Sequence, residues 1–309
     1  MKNSVALTML CAVILLVGCK PAKEPAGEDP TEPVVVESHV DIYRNFQSQY
    51  VPSRVIRVWV PDGYTNEQRY DVLYMHDGKM LFDASITWNH QEWGVDEAMD
   101  SLINLGIIRP TIVVGIDNID QGNGRVGEYC PDDITEFMSA GKTVYPTIPA
   151  KGNDYLRFVV EEVKPFIDSA YSTYPDRDHT WTMGSSCGGL ISSYALCKYP
   201  DVFAGAACMS THCILVDPNT NTPDEETINA YQQYLKKYLS PNSCLLYMDD
   251  GDQTIDAYYT ETQAAINAML RNEGWDEAHF QYLFFPGQAH DEKCWRSRLD
   301  CPLSFLLQQ

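Results

Sequence analysis

Thr180-Trp181-Thr182-Met183-Gly184-Ser185-Ser186-Cys187-Gly188-Gly189 runs directly into Leu190-Ile191-Ser192-Ser193-Tyr194-Ala195-Leu196. The alternating start predicts a short strand, and the apolar stretch at the end predicts a helix. Between them stands Gly184-Ser185-Ser186-Cys187-Gly188, a Gly-x-Ser-x-Gly pattern. A plain Gly/Ser loop could carry the same letters, but a strand entering and a helix leaving is the setting of a nucleophile elbow. The turn there is so tight that its Ser takes a strained backbone conformation and its Oγ stands above the sheet edge. The flanking glycines let strand and helix pass closely. The helix N-terminus offers unpaired N–H groups where an oxyanion would form. Ser186 is the candidate nucleophile.

Outward from the elbow, strand and helix patterns alternate. Arg54–Val60, Tyr70–Met75, Thr111–Ile116, Ala204–Met209, Cys244–Met248 and Phe280–Phe285 read as strands. Val95–Leu105, Tyr155–Tyr171, Glu225–Leu239, Thr260–Asn272 and the C-terminal Trp295–Leu307 read as helices. Alternation of this length predicts an α/β fold with a mainly parallel sheet covered by helices on both faces.

The 309-residue chain is 44% hydrophobic, and its net charge of −21 argues against nucleic acid and polyanionic ligands. Residues 1–19 form a targeting segment: Lys2 gives the charged start, Val5 to Val17 the apolar stretch, and Leu16-Val17-Gly18-Cys19 resembles the lipobox of bacterial lipoproteins. That resemblance implies cleavage before Cys19 and lipidation of Cys19, with the protein anchored to a bacterial membrane outside the cytoplasm. Residues 20–33, rich in Pro and acid, are expected to be a disordered tether. One domain then occupies 34–309. Of the ten cysteines, Cys11 belongs to the targeting segment and Cys19 is the lipid site. Among the rest, Cys208 with Cys213 and Cys294 with Cys301 are the first disulfide candidates, and Cys187, Cys197, Cys208 and Cys244 read as small buried hydrophobes. No metal-ligand spacing stands out, so neither metal nor cofactor is expected.

A serine hydroxyl needs a base, and the base needs an orienting acid. His212 comes soon after the elbow and would only line the site, and His279 opens a strand. His290 stands in the Pro286-Gly287 loop after the last strand, where the base belongs. The acid is sought in the loop after the preceding strand, which holds Asp249, Asp250, Asp252 and Asp256. Crowded carboxylates repel, so most should be solvated turn residues. Asp256 is the first candidate and Asp252 the second. The N–H of Cys187 and that of Gly78, in the loop after an early central strand, are the candidate oxyanion donors. His76 reads as a structural imidazole. Arg125 and Glu128 read as a surface salt bridge, or else as shaping the substrate mouth. Trp88, Trp93 and Tyr129 could stack on a sugar or an aromatic acyl group, or pin their loops to the core.

His76-Asp77-Gly78-Lys79-Met80-Leu81-Phe82-Asp83 resembles the His-Asp-Gly-Gln-Asn-Leu-Phe-Asp signature of the esterase D-like family of α/β-hydrolases. Trp88 through Asp96, Val114 through Asn118, Arg125 through Pro131, Val163 through Asp168, the elbow, Asp250 through Tyr259 and Phe285 through His290 continue the likeness. Lys79 and Met80 replace the usual Gln and Asn, and Asp252 and Gln253 stand where relatives show Thr and Glu. The resemblance implies a serine hydrolase, with relatives among feruloyl and acetyl xylan esterases, enterochelin esterases and mycolyltransferases. The expected activity is carboxylic ester hydrolysis through a Ser–His–Asp triad on feruloyl or acetyl groups of carbohydrate. The alternatives are a siderophore esterase, an acyltransferase with the same machinery, and a non-catalytic carbohydrate-binding lipoprotein.

Overall fold

Along β3 (Asp71–His76), Val72 and Tyr74 point into one apolar layer, and Leu73 and Met75 into another. Both faces are buried, so a period of two appears in the sequence as a continuous apolar run. The same holds for β4 (Thr111–Ile116), every residue of which is buried. The computed structural model describes residues 37–119 and 121–309; the anticipated targeting segment, the tether and Cys19 lie outside the described residues.

The remaining strands are β1 (His39–Phe46), β2 (Arg54–Val60), β5 (Thr180–Ser185), β6 (Gly205–Met209), β7 (Leu245–Asp250) and β8 (Phe280–Phe284). The sheet has eight strands in the order β1-β2-β4-β3-β5-β6-β7-β8. β1 and β2 run antiparallel to their neighbours, and from β4 to β8 every pairing is parallel. β1 is absent from the sequence reading. It is an edge strand with partly or fully exposed residues throughout, and its apolar residues Val40, Tyr43 and Phe46 are divided between two faces and interrupted by a bulge, so no continuous stripe marks it.

On one face lie α1 (Val95–Asn104), which contributes Val95, Met99 and Leu102, and the C-terminal α9 (Asp300–Leu307), which contributes Leu303, Leu306 and Leu307. The other face is covered by α3 (Gly152–Arg157), α4 (Lys164–Ala170), α5 (Cys187–Lys198), α6 (Glu225–Tyr238) and α7 (Thr260–Asn272). The short α2 (Gly124–Glu128) and α8 (Glu292–Arg296) sit in loops beside the strand ends. Where one helix is expected over Tyr155–Tyr171, the chain stays helical from α3 to α4 but widens into a π-helical turn at Phe158–Val163. Pro165 follows at once and supplies no N–H to the ladder, so the widened turn sits where the regular pattern must break.

The disulfide expectation is corrected. Cys208, Cys213, Cys294 and Cys301 are all free thiols. Cys208 and Cys213 are wholly buried within the core, where burial pushes both thiols well up. Cys294 Sγ instead accepts the Ala289 N–H at 3.2 Å, and the Cys301 thiol lies beside Asp300.

Candidate active site

β5 ends at Ser185, and α5 begins at Cys187. Ser186 between them has φ 57° and ψ −124°, a conformation that L side chains rarely adopt. The crossing is close enough that a Cβ on Gly184 would stand 2.7 Å from the Gly188 carbonyl carbon, so Gly184 could not be larger without moving backbone. The elbow is tied to the end of β6, with Ser186 N–H donating to Met209 O at 2.9 Å and His212 N–H donating to Ser186 O at 3.1 Å. As the first residue of α5, Cys187 has an N–H with no acceptor inside the helix.

Beyond β7 and β8, two loops are knitted together. Asp252 N–H and Gln253 N–H both donate to Gln288 O, at 3.2 and 3.0 Å, and His290 N–H donates to Thr254 Oγ1 at 2.9 Å. Gly251 is needed here: a Cβ on it would stand 2.2 Å from Gln288 O. The outcome is a contact of 2.6 Å between Asp256 Oδ1 and His290 Nδ1, with Asp256 wholly buried and the His290 side chain 9% exposed. Burial alone would raise the Asp256 carboxyl. Hydrogen bonds from His290, Ser210 and Gly251 outweigh that and hold it below the usual carboxylate range. Asp252, the other candidate, accepts the Gly287 N–H at 2.7 Å and braces the loop instead.

The loop after β3 closes the third side. Asp77 sits in the left-handed region, at φ 58°. Its two carboxylate oxygens receive Arg125 Nε at 2.6 Å and Nη2 at 2.7 Å, and Asn118 Nδ2 adds a third bond at 2.5 Å. Arg125 Nη2 also reaches Ser185 O at 3.3 Å, so one guanidinium joins this loop to the elbow. Burial would raise the Asp77 carboxyl, but Arg125 and Asn118 bring it below its ordinary value.

Ser186 and His290 border one cavity of about 480 Å³, walled by Met80, Trp88, Trp93 and Trp295 with Lys79, Asn118 and Glu292. It opens at the carboxyl ends of the parallel strands, where open α/β sheets place their ligands.

Residues 51–303 match the family described as "Putative esterase". The chain belongs to this family. It is similar to the uncharacterized protein YbbA of Bacillus subtilis strain 168, at 21% identity over 248 residues, which cover 78% of this chain and 87% of that protein. Its fold is that of a ferulic acid esterase, with a TM-score of 0.64 at 22% identity over 88% of this chain and 99% of that one. It is also that of the enterobactin esterase from Shigella flexneri, with a TM-score of 0.63 at 19% identity over 88% of this chain and 59% of that longer one. This is an esterase of the α/β-hydrolase fold.

The other residues singled out in the sequence take the following places in this esterase, with Arg125 bordering the cavity. Arg125 and Glu128 do not form a surface pair. Arg125 holds Asp77, and Glu128, 1% exposed, is bound by the buried Arg54 at 2.5 and 3.1 Å. The two lie one helical turn apart, but the fold sends them to opposite partners. Gly78 leans on Gly115 and borders a neighbouring cavity, whereas Asp77, Lys79 and Met80 from the same turn face Ser186. His212 is half-buried and is not among the residues that border the cavity. Its Nδ1 lies 2.9 Å from Tyr259 OH, and burial pushes it down to about 4. His279 pairs with Asp276 at the surface. Tyr129 pins its loop to the core, its OH accepting the Asp77 N–H at 3.1 Å. Trp93 is buried against Trp295, with ring centroids 5.3 Å apart, while Trp88 stands 80% exposed at the cavity mouth. Glu292, Trp295 and Asn118 are missing from the sequence-derived site. Their only signal was adjacency to His290 and to the family-like stretch at Val114–Asn118.

Proposed function

We propose that this protein is a serine carboxylic-ester hydrolase with Ser186, His290 and Asp256 as its triad. The observation that carries this reading is the Asp256–His290 pair opening on the same cavity as Ser186, which is held at φ 57°. His290 Nε2 takes the proton of Ser186 Oγ as the oxygen attacks the ester carbonyl, while Asp256 fixes the imidazole tautomer through Nδ1. The tetrahedral oxyanion is held by the Cys187 N–H and by a second donor from the Gly78–Lys79 turn. His290 then returns its proton to the departing alcohol. Water, deprotonated by the same imidazole, releases the acid from Ser186.

For the substrate we propose an acylated carbohydrate bearing a feruloyl or acetyl group. Met80, Trp93 and Trp295 supply apolar wall for the acyl group. Exposed Trp88 supplies a ring face for a sugar or aromatic group, and Glu292 and Asn118 supply hydrogen-bonding partners for hydroxyls. Export and lipidation at Cys19 complete the proposal. Membrane partitioning that persists in Cys19→Ala would count against the anchor.

Ser186→Ala tests the triad. Hydrolysis of p-nitrophenyl acetate should fall by about a thousandfold or more with the fold intact. Loss in Ser185→Ala with retention in Ser186→Ala would overturn the assignment.

A further inference from the structure

Only one oxygen of Asp256 faces His290. The other, Oδ2, accepts the Gly251 N–H at 2.8 Å and the Ser210 hydroxyl at 2.6 Å. Ser210 follows β6 directly and is held at φ 40°, in the left-handed region, although it is not glycine. Its Oγ also receives Trp295 Nε1 at 3.0 Å and Arg298 Nη2 at 2.8 Å. An indole N–H and a guanidinium can only donate. Both acceptor positions of the hydroxyl are therefore filled from one side, and its single proton has to point at Asp256.

The support behind Ser210 is equally buried. Arg298 Nη2 donates to Asp249 Oδ1 at 2.9 Å; the same oxygen takes the Ser210 N–H at 3.1 Å, and Asp249 Oδ2 takes Tyr247 OH at 3.0 Å. Ser210, Asp249 and Asp256 have no exposed surface, and Arg298 is 2% exposed. Arg298 Nε and Nη1 are buried with no hydrogen-bond partner, and the guanidinium lies over the Phe285 ring at 4.9 Å. An arginine kept inside the protein with two of its nitrogens unsatisfied carries a desolvation cost that a packed leucine would not. Its polar contacts converge on Ser210 and Asp249. Trp295 joins the cluster to the cavity, since its ring meets His290 edge-on with centroids 5.0 Å apart.

We propose that Ser210, oriented by Trp295 and Arg298, is a positioning residue for the triad acid. Its hydroxyl fixes the plane of the Asp256 carboxylate so that Oδ1 stays aimed at His290 Nδ1. This rests on the triad reading above. Strained backbone and forced proton direction act on the Asp256 carboxylate through Ser210, and the buried Arg298, paired with Asp249, reaches it only through the same hydroxyl.

The test is a double-mutant cycle on p-nitrophenyl acetate, with Ser210→Ala in the unmodified protein and in Asp256→Asn. Loss of a hydrogen bond to a charged group predicts a kcat lower by about tenfold, with KM within about twofold. In the Asp256→Asn background the same substitution should change kcat little, because the carboxylate it orients is gone. Equal losses in both backgrounds would give Ser210 a purely structural role and overturn the proposal. So would an unchanged kcat in Ser210→Ala while Ser186→Ala is inactive, and that result leaves the triad standing. Full activity in Ser186→Ala and Asp256→Asn would remove the triad and this proposal together. Ser210→Gly, which accepts a φ of 40° without strain, replaces the alanine variant if that does not fold; failure of both to fold also decides for a structural role.

Discussion

Asp256 Oδ1 and His290 Nδ1 lie 2.6 Å apart although the residues belong to different loops, one after β7 and one after β8. The contact depends on Gly251, which lets the first loop touch the second, and on Asp252, which clamps Gly287 from the other side. The two acids considered for one role thus have two roles. Asp256 meets the imidazole, and Asp252 holds in place the loop that carries it.

Asp256→Asn should therefore lower kcat far more than KM, because an amide both weakens imidazolium stabilisation and can favour the wrong tautomer. Asp252→Asn should cost little in kcat and about 1 kcal/mol or less in stability, the value of one partly exposed hydrogen bond. Steady-state kinetics of the two variants decide the matter, and the reverse ranking would sink the assignment.

Arg125 binds Asp77 through two nitrogens, and Asp77 is buried. Arg125→Ala should destabilise the fold by about 3 kcal/mol, chiefly because it strands a buried carboxylate. Adding Asp77→Asn should restore part of that loss, which independent contributions would not do. Denaturant titration of both single variants and the double variant measures the coupling.

His76 is buried, with Nδ1 2.7 Å from Tyr155 OH and Nε2 3.3 Å from Thr182 Oγ1, and burial pushes it down to about 4. Unfolding returns it to its ordinary value of about 6.5, so at pH 5 the unfolded chain binds a proton that the folded chain does not. The stability His76 contributes is therefore present above pH 6.5 and is lost as pH falls towards 4. His76→Gln should cost about 2 kcal/mol more at pH 7 than at pH 5. A pH-independent cost, measured by urea unfolding at the two values, would contradict the buried neutral imidazole.

Trp88 is 80% exposed at the cavity mouth, so its side chain holds little of the fold together. Trp88→Ala should change stability by less than about 0.5 kcal/mol. It should raise KM for a feruloylated xylo-oligosaccharide by about two- to tenfold, the value of one ring-stacking contact, and leave kcat on p-nitrophenyl acetate intact. An unchanged KM for the oligosaccharide would remove Trp88 from the substrate site.

Much of this was written in local sequence. Strands buried on both faces must be apolar throughout, so the central sheet is legible from Tyr70–Met75, Thr111–Ile116 and Ala204–Met209. The elbow is legible because Gly184 is demanded by a backbone crossing against Gly188, a constraint satisfied within a few residues. What depends on pairing across the sheet was not. Edge strand β1 divides its few apolar residues between two faces, the eight described cysteines remain thiols despite suggestive spacings, and Arg125 and Glu128 part company one turn apart. Only the tertiary structure shows that Asp256, and not Asp252, meets His290, since that contact turns on how two loops interlock. Only the tertiary structure brings Ser210, Asp249 and Arg298 behind that acid. A hydrogen bond reaches about 3 Å in space whatever the distance along the chain, so local patterns set the backbone while the fold chooses the partners.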